Sequence, residues 1–374
     1  MRSLTIISHT EHYLAKDQTI VGLSSTVTEI NHLMEIFDRV VHIAMLHKCE
    51  PPPNTLPYIS DAIQFVALPA LGGKGVKDKF SILLNAPKVL TIIRKYIKTS
   101  DYFQFRAPTG IGVYVIPYLI FLTSKKGWFK YAGNWKQKNA PISYRFQKWM
   151  LERQIRAVTI NGFWADQPKQ CLSFENPCLT QQEIIKGQSI RKLKTLSAPI
   201  NFCFVGRLEE AKGVGLILDA FAGLDNSIKN KIGCVHFIGD GENKEFYQNK
   251  SSSIDLNFIF HGYLPRQKVH ELYKQCHSIL LPSRSEGFPK VIAEAMNYGC
   301  IPIVSNVSSL GHYIKEDDNG YLLSTISEDD LRQCLYKLLN LNGQQFRRLI
   351  NSNDVILRSF TYSHYNMRLL NEIL

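Results

Sequence analysis

Residues 282–305 read Pro-Ser-Arg-Ser-Glu-Gly-Phe-Pro-Lys-Val-Ile-Ala-Glu-Ala-Met-Asn-Tyr-Gly-Cys-Ile-Pro-Ile-Val-Ser. Two carboxylates, Glu286 and Glu294, stand on either side of a helix start. Gly287 lets another group approach the backbone, and Pro289 suits the first helical position. Val291, Ile292, Ala295 and Met296 then recur at helical spacing, Gly299 reads as a left-handed cap, and Ile301–Val304 reads as the next strand. A helix N-terminus presents free N–H groups and partial positive charge, an anion site. From Pro289 to Glu294 the helix rises about 7.5 Å. That rise is comparable to the reach from the sugar to the ribose of a nucleotide-diphosphate sugar. The stretch therefore implies a ligand with an anion at the helix start and hydroxyls for the two acids.

Outward from this segment, strand and helix patterns alternate along the whole chain, the mark of parallel α/β sheets. At 374 residues the length favours two domains, each with its own core. Before residue 160, strands are expected at Leu4–Ser8, Arg39–Leu46, Gln64–Pro69, Tyr102–Arg106, Gly127–Tyr131 and Ala157–Ile160. Helices are expected at Val27–Phe37, Asp78–Lys98, Gly110–Leu122 and Ser143–Gln154. Thr26-Val27-Thr28-Glu29 reads as a capping box. The stretch from Thr180 to Ala198 is polar and loses periodicity, so a linker is expected at 181–198, between domains 1–180 and 199–374. A second α/β run begins at Asn201, and a closing helix is expected near Tyr362–Leu374.

Phe204-Val205-Gly206-Arg207-Leu208-Glu209-Glu210-Ala211-Lys212-Gly213 runs from a strand's carboxyl end into a helix. Open α/β sheets bind ligands beyond those ends. Arg207 offers a planar fork and Lys212 a point charge, both suited to phosphate oxygens. Gly239-Asp240-Gly241 carries two glycines of a dinucleotide fingerprint but lacks the third, which argues against a nicotinamide site.

Read together, these pieces resemble the retaining GT-B glycosyltransferases of the group 1 (family 4) type, over Asn201 to Leu323. The carriers are the Gly206-Arg207-x4-Lys212 loop, Gly239-Asp240-Gly241, Phe260-His261-Gly262-Tyr263-Leu264, Leu281-Pro282-Ser283, the paired Glu286 and Glu294, and Asn319-Gly320-Tyr321-Leu322-Leu323. The resemblance implies two Rossmann-like domains facing across a cleft, with the last helix crossing back to the first domain. It implies that Arg207 and Lys212 neutralise the donor diphosphate, helped by backbone N–H groups near Gly287, Phe288, Pro289 and Lys290. Glu286 would hold sugar hydroxyls and Glu294 the ribose, while Tyr263 and Leu264 lie along the base. No metal and no cofactor are expected, the donor being a substrate. In the first domain it implies a phosphate-side role for Gly22. Where many members carry a His, this chain has Arg106, with Gln104 as the alternative. His9, His12, His32, His42 and His47 are further candidates.

The expected reaction is retaining transfer of a hexosyl-type unit to a saccharide hydroxyl, in assembly of a bacterial surface polysaccharide such as capsule, O-antigen or exopolysaccharide. Two rivals share the fold: a sugar-nucleotide epimerase and a non-catalytic nucleotide-sugar-binding protein.

Net charge of +12 asks for an acidic partner. Nine Lys and Arg against the single acid Glu152 fall between Ser124 and Arg156, interleaved with Trp128, Phe129, Tyr131, Trp135, Tyr144, Phe146 and Trp149. Such patches serve anionic lipid surfaces and single-stranded nucleic acid, or cover a buried aromatic core. With the resemblance, the segment suggests an acceptor on a membrane-held lipid diphosphate rather than nucleic acid. The eight cysteines form no CxxC, and buried reduced thiols suit a cytoplasm, with peripheral attachment at the inner face of the plasma membrane. The stretch Ile111–Leu122 is too short to span a bilayer.

Overall fold

The computed structural model describes residues 2–72 and 75–374. The chain divides into two compact units: residues up to Asn176 together with Tyr362–Leu374, and Pro177–Thr361.

The first unit holds strands β1 (Ser3–Leu14), β2 (Ile20–Leu23), β3 (Arg39–His47), β4 (Thr55–Pro57), β5 (Ile63–Pro69), β6 (Tyr102–Ala107), β7 (Lys126–Tyr131), β8 (Val158–Ile160) and β9 (Cys171–Ser173). Parallel pairing runs β5-β3-β1-β6-β7-β8-β9, a doubly wound order that reverses beside β1. The far half of β1, past an irregularity between Ile7 and Glu11, also takes β2 antiparallel, and β4 pairs with β2. The helix Tyr362–Glu372 belongs to this unit. Its Tyr365 and Leu369, one helical turn apart, complete a core with Leu4, Ile6, Ile30, Leu33, Phe37 and Trp128. Tyr362 stacks on His32 at 4.0 Å, and Asn366 Nδ2 donates to the His32 carbonyl at 2.7 Å.

The second unit holds β10 (Ile200–Val205), β11 (Ile232–Ile238), β12 (Asn257–Gly262), β13 (Ser278–Leu281), β14 (Ile301–Ser305) and β15 (Tyr321–Leu323), in the order β12-β11-β10-β13-β14-β15, all parallel. Phe202, Cys203 and Phe204 on β10 are fully buried, as a strand covered on both faces requires. The helix Val214–Ala222 buries Val214, Ile217, Leu218 and Phe221 at helical spacing.

Several expectations are corrected. The polar stretch placed as a linker forms the helix Gln181–Leu193, part of the second unit. Thr180 and Glu183 make a capping box there, and the buried face uses Ile184, Gly187 and Arg191, so little apolar periodicity shows. The box at Thr26–Glu29 does not form: the first helix is Ser24–Leu33, with Leu23 as N-cap and no side-chain cap. The segment 78–98 breaks at Asn85 into helices Val76–Leu84 and Ala86–Thr99. Strands β2, β4 and β9, three or four residues each, escaped the periodicity.

Glu29 instead serves a buried charge cluster. Its Oε1 accepts from Lys130 Nζ at 2.5 Å and Arg106 Nη2 at 3.0 Å, and Lys130 also lies 4.8 Å from the Tyr365 ring centre. All three charged groups are buried. Removing the shared anion takes the neutralising carboxylate from two buried cations. Glu29→Ala should therefore destabilise the first unit by about 3–5 kcal/mol in urea unfolding, whereas an exposed control such as Glu50→Ala should stay within roughly 0.5 kcal/mol.

Candidate functional site

In the second unit β10 and β13 are neighbours, and the strand order reverses between them. The loops leaving these strands meet there. The loop after β10 makes one 3-10 turn, Glu210–Lys212, and ends at Gly213 in the left-handed region with φ 79°. A Cβ at Gly213 would lie 2.6 Å from the Pro282 carbonyl oxygen, so only glycine lets the two loops close. Ala211 O accepts from Arg284 N at 2.9 Å. Lys212 Nζ then reaches Glu286 Oε1 at 2.5 Å.

The loop after β11 abuts the same place. Gly206 N donates to Ile238 O at 3.0 Å and Leu208 N to Asp240 O at 3.0 Å. Serines hold the segment before the helix: Ser308 Oγ accepts from Glu286 N at 3.4 Å, and Ser309 Oγ donates to Gly287 O at 2.8 Å. Ser308 adopts φ 54°. Phe288 is an anchor, buried between Tyr313 and Phe360 at ring distances of 4.8 and 4.6 Å. Pro289 is the N-cap rather than the first helical residue of Lys290–Asn297, and no side chain caps that end. Its amides and Lys212 thus provide positive potential beside Glu286. Arg207, in the same loop as Lys212, is exposed and paired with Glu209 at 2.7 Å.

Glu294 lies in a second network. It is buried one turn into the helix, and its Oε1 accepts from Arg266 Nε at 3.2 Å. Arg266 also grips Glu183 with its guanidinium fork and donates to Cys178 O at 2.5 Å. Burial works to raise the Glu294 carboxyl, but His270 and the Arg266 charge outweigh it and hold the group below the usual carboxylate range. Glu183 follows the same pattern through Arg266. The sequence reading missed Arg266, although a cation in a first helical turn opposes the dipole and so asks for a partner. Tyr263, exposed, and Leu264, half-buried against the core, follow β12 and lead into the helix Arg266–Gln275.

The first unit holds the remaining candidates. Arg106 spends its charge on Glu29 and donates from Nε to Gln104 Oε1 at 2.9 Å, within the buried cluster. Gly22 lies inside β2, not in a strand-to-helix loop, and a Cβ there would fall 2.4 Å from His12 Nε2. That histidine belongs to a buried chain: Tyr58 OH pairs with His12 Nε2 at 2.8 Å and His42 Nδ1 at 2.6 Å, and His42 Nε2 with Ser8 Oγ at 2.8 Å. Burial lowers His12 to about 4 and His42 well below its usual value, so both are neutral. His32 is taken by Glu35 and Tyr362. Among the described residues, His9 and His47 each keep a buried Nε2 without a hydrogen-bond partner.

Comparison with known proteins bears on the second unit. Residues 186–353 match the family model of glycosyl transferases, group 1. A glycogen synthase of Thermodesulfovibrio yellowstonii is 30% identical over 179 residues, which are 46% of this chain and 34% of that protein. A lipopolysaccharide 1,6-galactosyltransferase of Salmonella typhimurium is 35% identical over 148 residues, 38% of this chain and 40% of that one. The chain thus spans well under half the length of these relatives. The solved structure of Anabaena Alr3699/HepE in complex with UDP and glucose superimposes with a TM-score of 0.69 over 99% of this chain and 98% of that one, at 13% identity. That likeness is one of fold. The chain has the GT-B architecture of two Rossmann-like α/β domains. The group 1 match contains Arg207, Lys212, Tyr263, Leu264, Glu286 and Glu294, and Arg266 as well.

Arg266→Met tests the second network. It leaves Glu183 and Glu294 without their shared cation, at a cost of roughly 2–4 kcal/mol in the neutral-pH unfolding of the second unit. Both carboxyls are held below their ordinary value of 4.5, so the stabilisation is fully present above that value and is lost as pH falls through the lower folded values. The gap between Arg266→Met and the parent should accordingly narrow below pH 4.5, measured as urea midpoints across pH.

Proposed function

We propose that the protein is a retaining, metal-independent glycosyltransferase that moves a hexosyl-type unit from a nucleotide-diphosphate sugar to a saccharide hydroxyl. The observation that carries this reading is the direct contact of Lys212 with Glu286 at the reversal point of the sheet, beside an uncapped helix start. The group 1 match over the same residues supports it, as does the fold shared with a protein solved with UDP and glucose.

The donor diphosphate would take Lys212 from Glu286 and Arg207 from Glu209. Glu286, released from its cation, would then accept hydrogen bonds from the sugar hydroxyls. As the anomeric C–O bond breaks, its electron pair moves onto the leaving phosphate oxygen. Lys212, Arg207 and the backbone N–H groups of Phe288 and Lys290 stabilise that charge. The acceptor oxygen forms the new bond on the same face, and its proton passes to the leaving phosphate, so no protein base is needed. Glu294, with Arg266 beside it, would hold the ribose hydroxyls, and Tyr263 and Leu264 would border the base. The acceptor side is the first unit.

The lipopolysaccharide galactosyltransferase among the relatives favours surface polysaccharide assembly, with the acceptor carried on a lipid-linked diphosphate. Eight free thiols, seven of them buried, suit work on the cytoplasmic side.

Transfer should be tested with a panel of UDP-, GDP- and ADP-sugars. Arg207→Ala should slow transfer by on the order of 10²–10³ and weaken diphosphate binding, since each well-placed donor contributes about 2.7–4 kcal/mol to the transition state. Glu286→Ala should keep its fold and lose most transfer while still binding the nucleotide. Unchanged transfer in Arg207→Ala contradicts the assignment. Isomerised donor without transfer would indicate the epimerase, and binding without turnover on every donor the non-catalytic protein.

A further inference from the structure

The helix Ile142–Glu152 buries Gln147, Met150 and Leu151, yet its outer face carries Ile142, Phe146 and Trp149, all exposed, at i, i+4 and i+7. A helix on a soluble surface ordinarily turns polar side chains outward. Here the apolar stripe continues past the helix. Ile155 is 94% exposed, and Phe121 and Leu122, at the end of the helix Gly112–Phe121, are 72% and 75% exposed. Among the described residues, these two helix ends and their turns border a groove of about 960 Å³, lined by Phe121, Lys125, Lys126, Trp149, Arg153 and Ile155.

Cations ring the apolar side chains. Lys126, Arg145 and Arg153 are exposed and Lys125 is half-buried, with the Arg153 guanidinium 5.0 Å from the Trp149 ring centre. The nearby acids are already engaged, Glu152 with Lys148 at 3.6 Å and Glu372 with Arg368 at 2.6 Å. Protruding aliphatic and aromatic side chains inside a basic rim match a bilayer interface, where the apolar tips enter the acyl boundary and the cations meet lipid phosphates. A second copy of the chain is the poorer occupant, because two-fold pairing would set the same basic rim against itself.

We propose that this face of the first unit is a docking surface for an anionic lipid bilayer, held by Phe121, Leu122, Ile142, Phe146, Trp149 and Ile155 and steered by Lys125, Lys126, Arg145 and Arg153. The purpose of the surface rests on the membrane-held acceptor proposed above. Its existence rests on these side chains alone.

The test is co-sedimentation of the full chain with phosphatidylcholine vesicles, with and without about one-third phosphatidylglycerol. It uses no donor or acceptor, so it can fail while the transferase reading stands, and the reverse. The protein should sediment with anionic vesicles and not with phosphatidylcholine alone, should be released by salt, and should show blue-shifted Trp149 emission. The double variant Leu122→Ser, Ile155→Ser should lower the partition coefficient about tenfold. Lys125→Gln, Lys126→Gln and Arg153→Gln combined should remove the preference for anionic lipid. All these positions lie at the surface, and unchanged thermal unfolding would verify the fold of each variant. Failure of the parent protein to sediment, or equal partition of the double variant, overturns the proposal. So does a lipid-indifferent dimer that Ile155→Ser dissociates, which would give the face to a second copy.

Discussion

The candidate site depends on how closely two pieces of backbone can approach. At Gly239, with φ 133°, a Cβ would sit 1.9 Å from the Gly206 carbonyl oxygen, a distance no flexible neighbour could relieve. At Gly213 the obstacle would be the Pro282 carbonyl. Three loops leaving β11, β10 and β13 are therefore packed main chain to main chain at the reversal of strand order. Side chains between them would spread the loops and part Lys212 from Glu286. The glycines thus convert a general property of doubly wound sheets, an open crevice at the strand ends, into a narrow one where a lysine and a glutamate must touch.

That contact has a consequence for ligand choice. Lys212 and Arg207 each rest against a carboxylate, so the site is close to neutral before a ligand arrives. The proposed diphosphate would outcompete a single carboxylate because it brings more charge and several oxygens, and the adjoining helix amides would act on it in the same sense. In the proposed reaction Glu286 would then be an acceptor for neutral hydroxyls. On the proposed reading, an anion lacking those hydroxyls would leave Glu286 half-buried without its cation, which would favour a phosphate joined to a sugar.

The legible parts of the chain were those whose signal is local. Strand, glycine turn and helix follow one another within a few residues from Phe204 to Val214 and from Leu281 to Ser305, so composition and order were enough. The illegible parts depended on distant partners. Glu29 carries the local pattern of a capping box but is drawn into the core by Arg106 and Lys130, far along the chain. Arg106 looked available for a ligand for the same reason: its partner is 77 residues away. The helix Gln181–Leu193 reads as a polar linker because, beside Ile184 and Ile190, its contacts are Gly187 against Asn297 and Arg191 on Asn297 and Asp354. Arg266 was invisible because neither of its acids is a sequence neighbour.

The same distinction separates the two units. The second is one continuous segment, and its six parallel strands are joined by short local crossovers. The first is discontinuous: Tyr365 and Leu369 fill a core begun by Leu4 and Ile6, and the Tyr365 ring lies over the Lys130 ammonium of the buried cluster. Glu29, Arg106, Lys130 and Tyr365 come from four elements spread over most of the chain, so their desolvation can be offset only when all four are in place. Such a cluster couples the last helix to the sheet more specifically than apolar packing alone, since an aromatic face is one of few surfaces that an ion-paired lysine can share without a further penalty. The charges that resisted reading as a site are better understood as what fixes residues 362–374 to the unit they complete.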